Sequence, residues 1–173
     1  MAEPLAPQER LQPALLDRLT DDEPDRKVEP RERRVMNKSR LRQAVLRDLA
    51  WLFNATRLEA EVDFAKAPLA RRSVINFGLP CLSGSLASSI EVPDLERAVR
   101  QAILDFEPRI LPQTLQVRAL GGDAQEIEHN VIGLEIRGQL WAQPLATDLL
   151  IRTEIDLETG SVKIEDVAPA RVV

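Results

Sequence analysis

The stretch DLERAVRQAILDFEPRILPQTLQVRA, residues 94–119, decides how this chain folds. In its first half Leu95, Val99, Ala102, Ile103 and Phe106 fall on one helical arc, with Glu96, Arg97, Arg100 and Gln101 opposite. Pro93 and Asp94 are expected to open the helix, with Asp94 capping its first free amides. Glu96 stands four residues before Arg100, the spacing of a weak surface pair. Pro108 ends the helix, because proline disfavours helical dihedrals at the residue before it and brings no amide of its own. Leu115, Val117 and Ala119 then alternate with Thr114, Gln116 and Arg118, which is the period of a strand.

The join reads Glu107-Pro108-Arg109, two opposite charges around a rigid residue. Such a bend is expected to keep the two side chains from pairing well with each other, so that each faces a different partner and the corner forms a fixed electrostatic junction. The alternative is a pair of solvated charges, worth about 0–1 kcal/mol if paired at the surface. Leu104 lies on the polar face of the helix and is a candidate contact for another protein, although single exposed leucines are common.

Upstream, SRLRQAVLRDLAWLFNAT carries Leu41, Val45, Leu46, Leu49, Leu52 and Phe53 as a wide apolar stripe, capped by Asn37 or Ser39. Asp48 sits on the margin of that stripe. It either leans out to water or takes a donor such as Arg109. Leu11, Leu15, Leu16 and Leu19 mark a shorter helix in LQPALLDRL, too short to stand alone and so expected to dock on something. Residues 20–37 are rich in charge and proline and read as a linker or as an ordered arm on a partner. In the irregular stretch 54–93, Val74, Ile75, Phe77 and Leu79 call for cover.

Downstream, GGDAQEIEHN is a polar loop, and three further strands follow. Ile132, Leu134, Ile136 and Leu140 alternate with polar residues and glycine, as do Leu149, Ile151, Thr153, Ile155 and Leu157 with mostly polar ones, then Val162 and Ile164. Pro144 breaks the chain between two of them, and Glu158-Thr159-Gly160 makes a hairpin loop. The alternation buries one sheet face and leaves the other wet, which predicts an α+β fold: an antiparallel or mixed sheet of about four strands with helices on one side. The last hairpin offers a sheet edge open to strand addition, or an edge blunted by Lys163 and Glu165. The expected organisation is a tail, short helix and charged arm over 1–37, one domain over 38–168, and a tail over 169–173.

The composition bounds the chemistry. A formal net charge of −5 argues against a general nucleic-acid binder. One cysteine, Cys81, allows neither an internal disulfide nor a thiolate zinc cluster, and fits a reducing cytoplasm. No apolar run approaches the ~20 residues of a membrane span, and the start of the chain lacks an apolar signal core, so no direct membrane insertion is expected. Gly84 lacks the second glycine and the lysine of a phosphate cradle. His129, the single histidine, has no ligand set or nucleophile beside it. Glu107 is a conceivable acid, but a glycosidase needs a second, paired carboxylate, and without tyrosine the chain is poor in the aromatic platforms of a sugar cleft. No catalytic residue, cofactor or metal is expected.

Several of these pieces together resemble a known family. LLDRLTDDEP (15–24), RQAVLRDLAWLFNATR (42–57), SVINFGLPCLSG (73–84), FEPRI (106–110) and LWAQPLATDLLIRTEIDLETG (140–160) are similar to TssE subunits of type VI secretion baseplates. Those are similar in turn to the phage tail-baseplate wedge (GPW) proteins often labelled lysozyme-like. The LLDRL segment favours the secretion branch, and the Glu-Pro-Arg corner is the most specific piece. Phe77 stands where the family often has tyrosine and Cys81 where it often has aspartate, so polar contacts made there in relatives do not carry over. The resemblance implies a non-enzymatic component of the cytoplasmic baseplate, docked on the inner-membrane complex. Its implied partners are TssF, TssG and TssK, and it would help start polymerisation of the TssB–TssC sheath. Glu107, Pro108 and Arg109 are its interaction motif; Leu104, Asp48, Leu15, Leu16 and Leu19 are further candidate contacts. The competing expectation is a lysozyme-like peptidoglycan hydrolase acting during apparatus assembly.

Overall fold

The computed structural model describes residues 13–20, 24–25, 36–83, 91–120, 130–142 and 146–167. Leu11, Gly84, His129 and Pro144 lie outside them, as do most of the 20–37 arm and of the 121–130 loop. Among the described residues three α-helices, α1 (Leu15–Leu19), α2 (Lys38–Phe53) and α3 (Val92–Phe106), accompany four strands, β1 (Gln116–Leu120), β2 (Val131–Leu140), β3 (Thr147–Asp156) and β4 (Val162–Asp166). The sheet runs β1-β2-β3-β4 with every neighbour antiparallel, so the α+β expectation holds.

Period-2 patterning sets the two faces of the sheet. Ile132, Leu134 and Ile136 on β2 and Leu149, Ile151, Thr153 and Ile155 on β3 are buried on one side. Against them lie Leu41, Val45, Leu49 and Leu52 of α2 and Leu95, Val99, Ala102 and Ile103 of α3, in one continuous core. The opposite face is polar, and one register row reads Arg118, Glu135, Arg152, Glu165 across all four strands. That alternation of sign gives each cross-strand neighbour an opposite charge. Gly160 takes φ +73°, the left-handed position of the last hairpin.

The helix ends differ in part from expectation. Asn37 caps α2, its Oδ1 accepting the Arg40 N–H at 2.8 Å. Helix α3, however, begins at Val92, and its N-cap Glu91 makes no side-chain cap bond. Asp94 therefore lies inside the first turn, where its charge favours the helix dipole and pairs with Arg97. Glu96 does not pair with Arg100 either. Its Oε1 accepts the Ala119 N–H of β1 at 2.7 Å, tying the helix to the outer strand. Of the four apolar residues of 74–79, Leu79 is buried and Phe77 half-buried against Phe106, ring centroids 5.2 Å apart, but Val74 and Ile75 are exposed.

Both sheet edges are engaged by the chain's own side chains. On β1 the Ala119 amide is taken by Glu96. On β4, Asn54 at the end of α2 accepts the Val162 N–H at 2.9 Å and donates to its carbonyl at 3.0 Å, while Arg42 grips Asp166 through two nitrogens. Of the two expectations for this edge, open or blunted by Lys163 and Glu165, neither describes it fully: Asn54 and Arg42 engage it at its two ends. By the alternation of an antiparallel ladder, the outward backbone groups in the middle of β4 are those of Ile164.

Candidate functional site

Phe106 is the last residue of α3, and the Glu107 amide still closes the helix onto the Ile103 carbonyl at 2.8 Å. Pro108, exposed, then forces a tight turn in which the Ile110 N–H returns to the Glu107 carbonyl. Ile110 enters an antiparallel bridge with Leu140, flanked by bonds from Leu111 N–H to the Gln139 carbonyl (2.8 Å) and from Trp141 N–H to the Arg109 carbonyl (2.7 Å). Ile110 and Leu140 are both buried, so the corner is fixed to the end of β2 by packing and by backbone bonds together.

Within that turn Arg109 folds back onto Glu107. Nε reaches Oε1 at 2.7 Å, Nη2 reaches Oε2 at 2.5 Å, and the Arg109 amide also donates to Oε1. The expectation that the bend would separate these charges is corrected. They are two residues apart, and the turn brings the second over the first in a bidentate pair. Arg109 Nη2 also donates to Asp48 Oδ2 on α2 at 2.5 Å. Asp48 is therefore not left to water, and the arginine ties the corner to the neighbouring helix.

The cluster continues beyond these three groups. Arg47, next to Asp48, donates through Nε to Asp48 Oδ1 at 2.9 Å, and its Nη1 lies 2.8 Å from Asp17 of α1. Its guanidinium stacks 5.2 Å from the centre of the Trp51 ring. Five charged side chains from three parts of the chain thus run Asp17, Arg47, Asp48, Arg109, Glu107. Burial opposes the Arg109 charge, but the hydrogen bond and charge of Glu107, then those of Asp48, outweigh it and raise its pKa above the usual arginine value. Arg47, with its own carboxylates, is raised likewise. Sequence reasoning missed Arg47 and Asp17; the helical spacing of Arg47 and Trp51 was the available signal.

The other candidates separate. Leu104 is half-buried against the core, which overturns its reading as an exposed contact. Leu15, Leu16 and Leu19 form the predicted helix, but its docking runs through Asp17, and the leucines are 70, 43 and 74 % exposed. Both Glu107 oxygens accept from Arg109, and the side chain is buried. Among the described residues no group of three or more His, Cys, Asp or Glu side chains is placed to hold a metal ion. No helix among them is long and apolar enough to cross a membrane.

The family model described as "Baseplate wedge protein gp25" matches residues 39–145, from the start of α2 through the corner and β2. The chain belongs to this family. Neither the curated proteins nor the solved structures give a match. Membership assigns a structural role in a baseplate wedge, among other baseplate components, and a structural role fits the expected absence of catalysis. The wedge family match covers Asp48, Glu107 and Arg109; α1, with Asp17, lies before it.

Proposed function

We propose that this wedge protein is a TssE-type subunit of a type VI secretion baseplate, which helps to start polymerisation of the contractile sheath. In this reading it works in the cytoplasm, at the baseplate docked on the inner-membrane complex, bound to TssF, TssG and TssK and passing order to TssB and TssC. The observation that carries it is the locked corner: Glu107, 3 % exposed, bonded to an arginine that also bonds Asp48. A junction fixed this firmly presents neighbouring subunits with one geometry, which is what a template for a first ring of subunits requires. The exposed leucines of the LLDRL segment support the secretion branch. Strand addition by a sheath subunit at β4 would first have to displace Asn54 from Val162, so the corner is the better contact.

Co-expression of the full chain with TssF, TssG and TssK tests the reading. A complex that survives purification is expected, with assembly of fluorescent sheath in cells abolished by Glu107→Gln while the variant stays folded. A purified chain that degrades cell wall, and stops doing so on Glu107→Gln, would show the lysozyme-like alternative instead.

A further inference from the structure

The sheet face turned away from the helices carries charges that the Glu-Pro-Arg corner does not use. Four of its side chains on β1 and β2, Gln116, Arg118, Glu135 and Arg137, line a cavity of about 170 Å³. That is smaller than the roughly 300–1,000 Å³ of a small-molecule pocket, and suits the side chains of another protein better. Glu135 lies lowest, its side chain 15 % exposed against 64 % for Arg137 and 53 % for Arg152 of β3. Arg137 takes one of its oxygens with two nitrogens, Nε at 2.7 Å and Nη2 at 2.6 Å, while Arg152 faces the other across 3.7 Å, beyond hydrogen-bond distance. Arg118 is the register partner of Glu135 but receives neither oxygen, and this exposed guanidinium has no acceptor among the described residues.

The chemistry of the face selects its occupant. Arg118, Arg137 and Arg152 stand around one carboxylate, three charges against one, so this part of the sheet is left with two positive charges in a chain of net charge −5. Because the carboxylate is the deepest of the four groups, an approaching partner meets the arginines first. Towards β4 the sign turns, with Glu165 beyond Arg152 in the same row and Glu154 opposite Lys163, which confines the positive patch to β1, β2 and the near side of β3. Arg118 and Arg152 are two strands apart, about 10 Å, so they call for more than one anionic group. Guanidinium forks match carboxylates. A nucleic acid would bring a charge at every phosphate to an acidic chain, whereas a short acidic segment brings only the few that these arginines can take.

We propose that the outer face of β1, β2 and β3, through Arg118, Arg137 and Arg152, binds an acidic segment of a neighbouring baseplate subunit, whose carboxylates take the unfilled guanidinium donors. The proposal rests on the wedge-subunit reading above and adds to it a second contact face and the charge that its partner carries.

The test uses the full chain and a purified TssF–TssG complex as the probe. Arg118→Glu is expected to weaken binding about tenfold or more and to flatten its dependence on salt. Arg100→Glu, an equal change of net charge at an exposed position of α3, is expected to bind as the parent does. Arg118→Lys keeps the charge and supplies an amine, which a carbodiimide is expected to join to an Asp or Glu side chain of the probe, forming an amide while the reagent takes up the water lost. Parent-like binding by Arg118→Glu, equal weakening by Arg100→Glu, or a complex that forms without a cross-link from position 118 overturns the acidic-segment site and leaves the wedge reading intact. An unaltered chain that does not bind the probe removes both.

Discussion

Arg109 holds a carboxylate that pairs with no other cation among the described residues. Removing its guanidinium leaves Glu107, 3 % exposed, as a buried charge without a partner, and frees one oxygen of Asp48. Arg109→Ala is therefore expected to lower the unfolding free energy by about 3 kcal/mol, whereas Glu107→Gln, which leaves no buried negative charge, costs clearly less. Urea denaturation of the two variants checks this, and equal losses would mean that the pair is not desolvated. At this scale the sequence disclosed Asp48 as a partner for Arg109, because a carboxylate on the margin of an apolar stripe needs a donor. It misled on Glu107 and Arg109 themselves. Chain neighbours look unable to pair until the dihedrals of the turn are known, and here the turn at Pro108 brings one over the other.

Between the helices the loop 54–83 shows how far a local element depends on one backbone conformation. Gly78 has φ +128°, and a Cβ built there would lie 2.2 Å from the Ala55 carbonyl oxygen. That close approach lets Leu79 pair with Thr56 and its amide reach the Ala55 carbonyl at 2.8 Å. Gly78→Ala is expected to cost about 2 kcal/mol or more and to lower the melting temperature by about 5 °C. An unchanged melt would show that the loop has another path open to it. Buried Asn76 braces the same loop, its Oδ1 accepting the Glu59 N–H at 2.9 Å and its Nδ2 donating to the Arg71 carbonyl at 2.8 Å. With the loop's polar groups satisfied in this way, Val74 and Ile75 are left outside. Apolar type alone cannot say which residues of an irregular segment are covered, because no period assigns them to a face.

For the molecule as a whole, the centre of the sheet carries the stability. Leu134, Ile136 and Ile151 are fully buried on strands bonded on both sides, while the outer edge of β1 is held by Glu96 and that of β4 by Asn54 and Arg42. Amide exchange is expected to be slowest at the middle of β2 and β3, matching global unfolding there, and faster by at least about tenfold in α1. Equal protection of α1 would mean that contacts beyond Asp17 hold it down. The sequence by itself determined the periodic elements, the buried face of each and the α+β class, because alternation and helical spacing are local records of which side meets the core. Only the tertiary structure decided what the charges do. Asp17, Arg47, Asp48, Glu107 and Arg109 meet across three separated segments, and Glu96 and Asn54 each engage one sheet edge. An ion pair or a capped edge depends on distances between residues far apart in the chain, which no periodicity encodes.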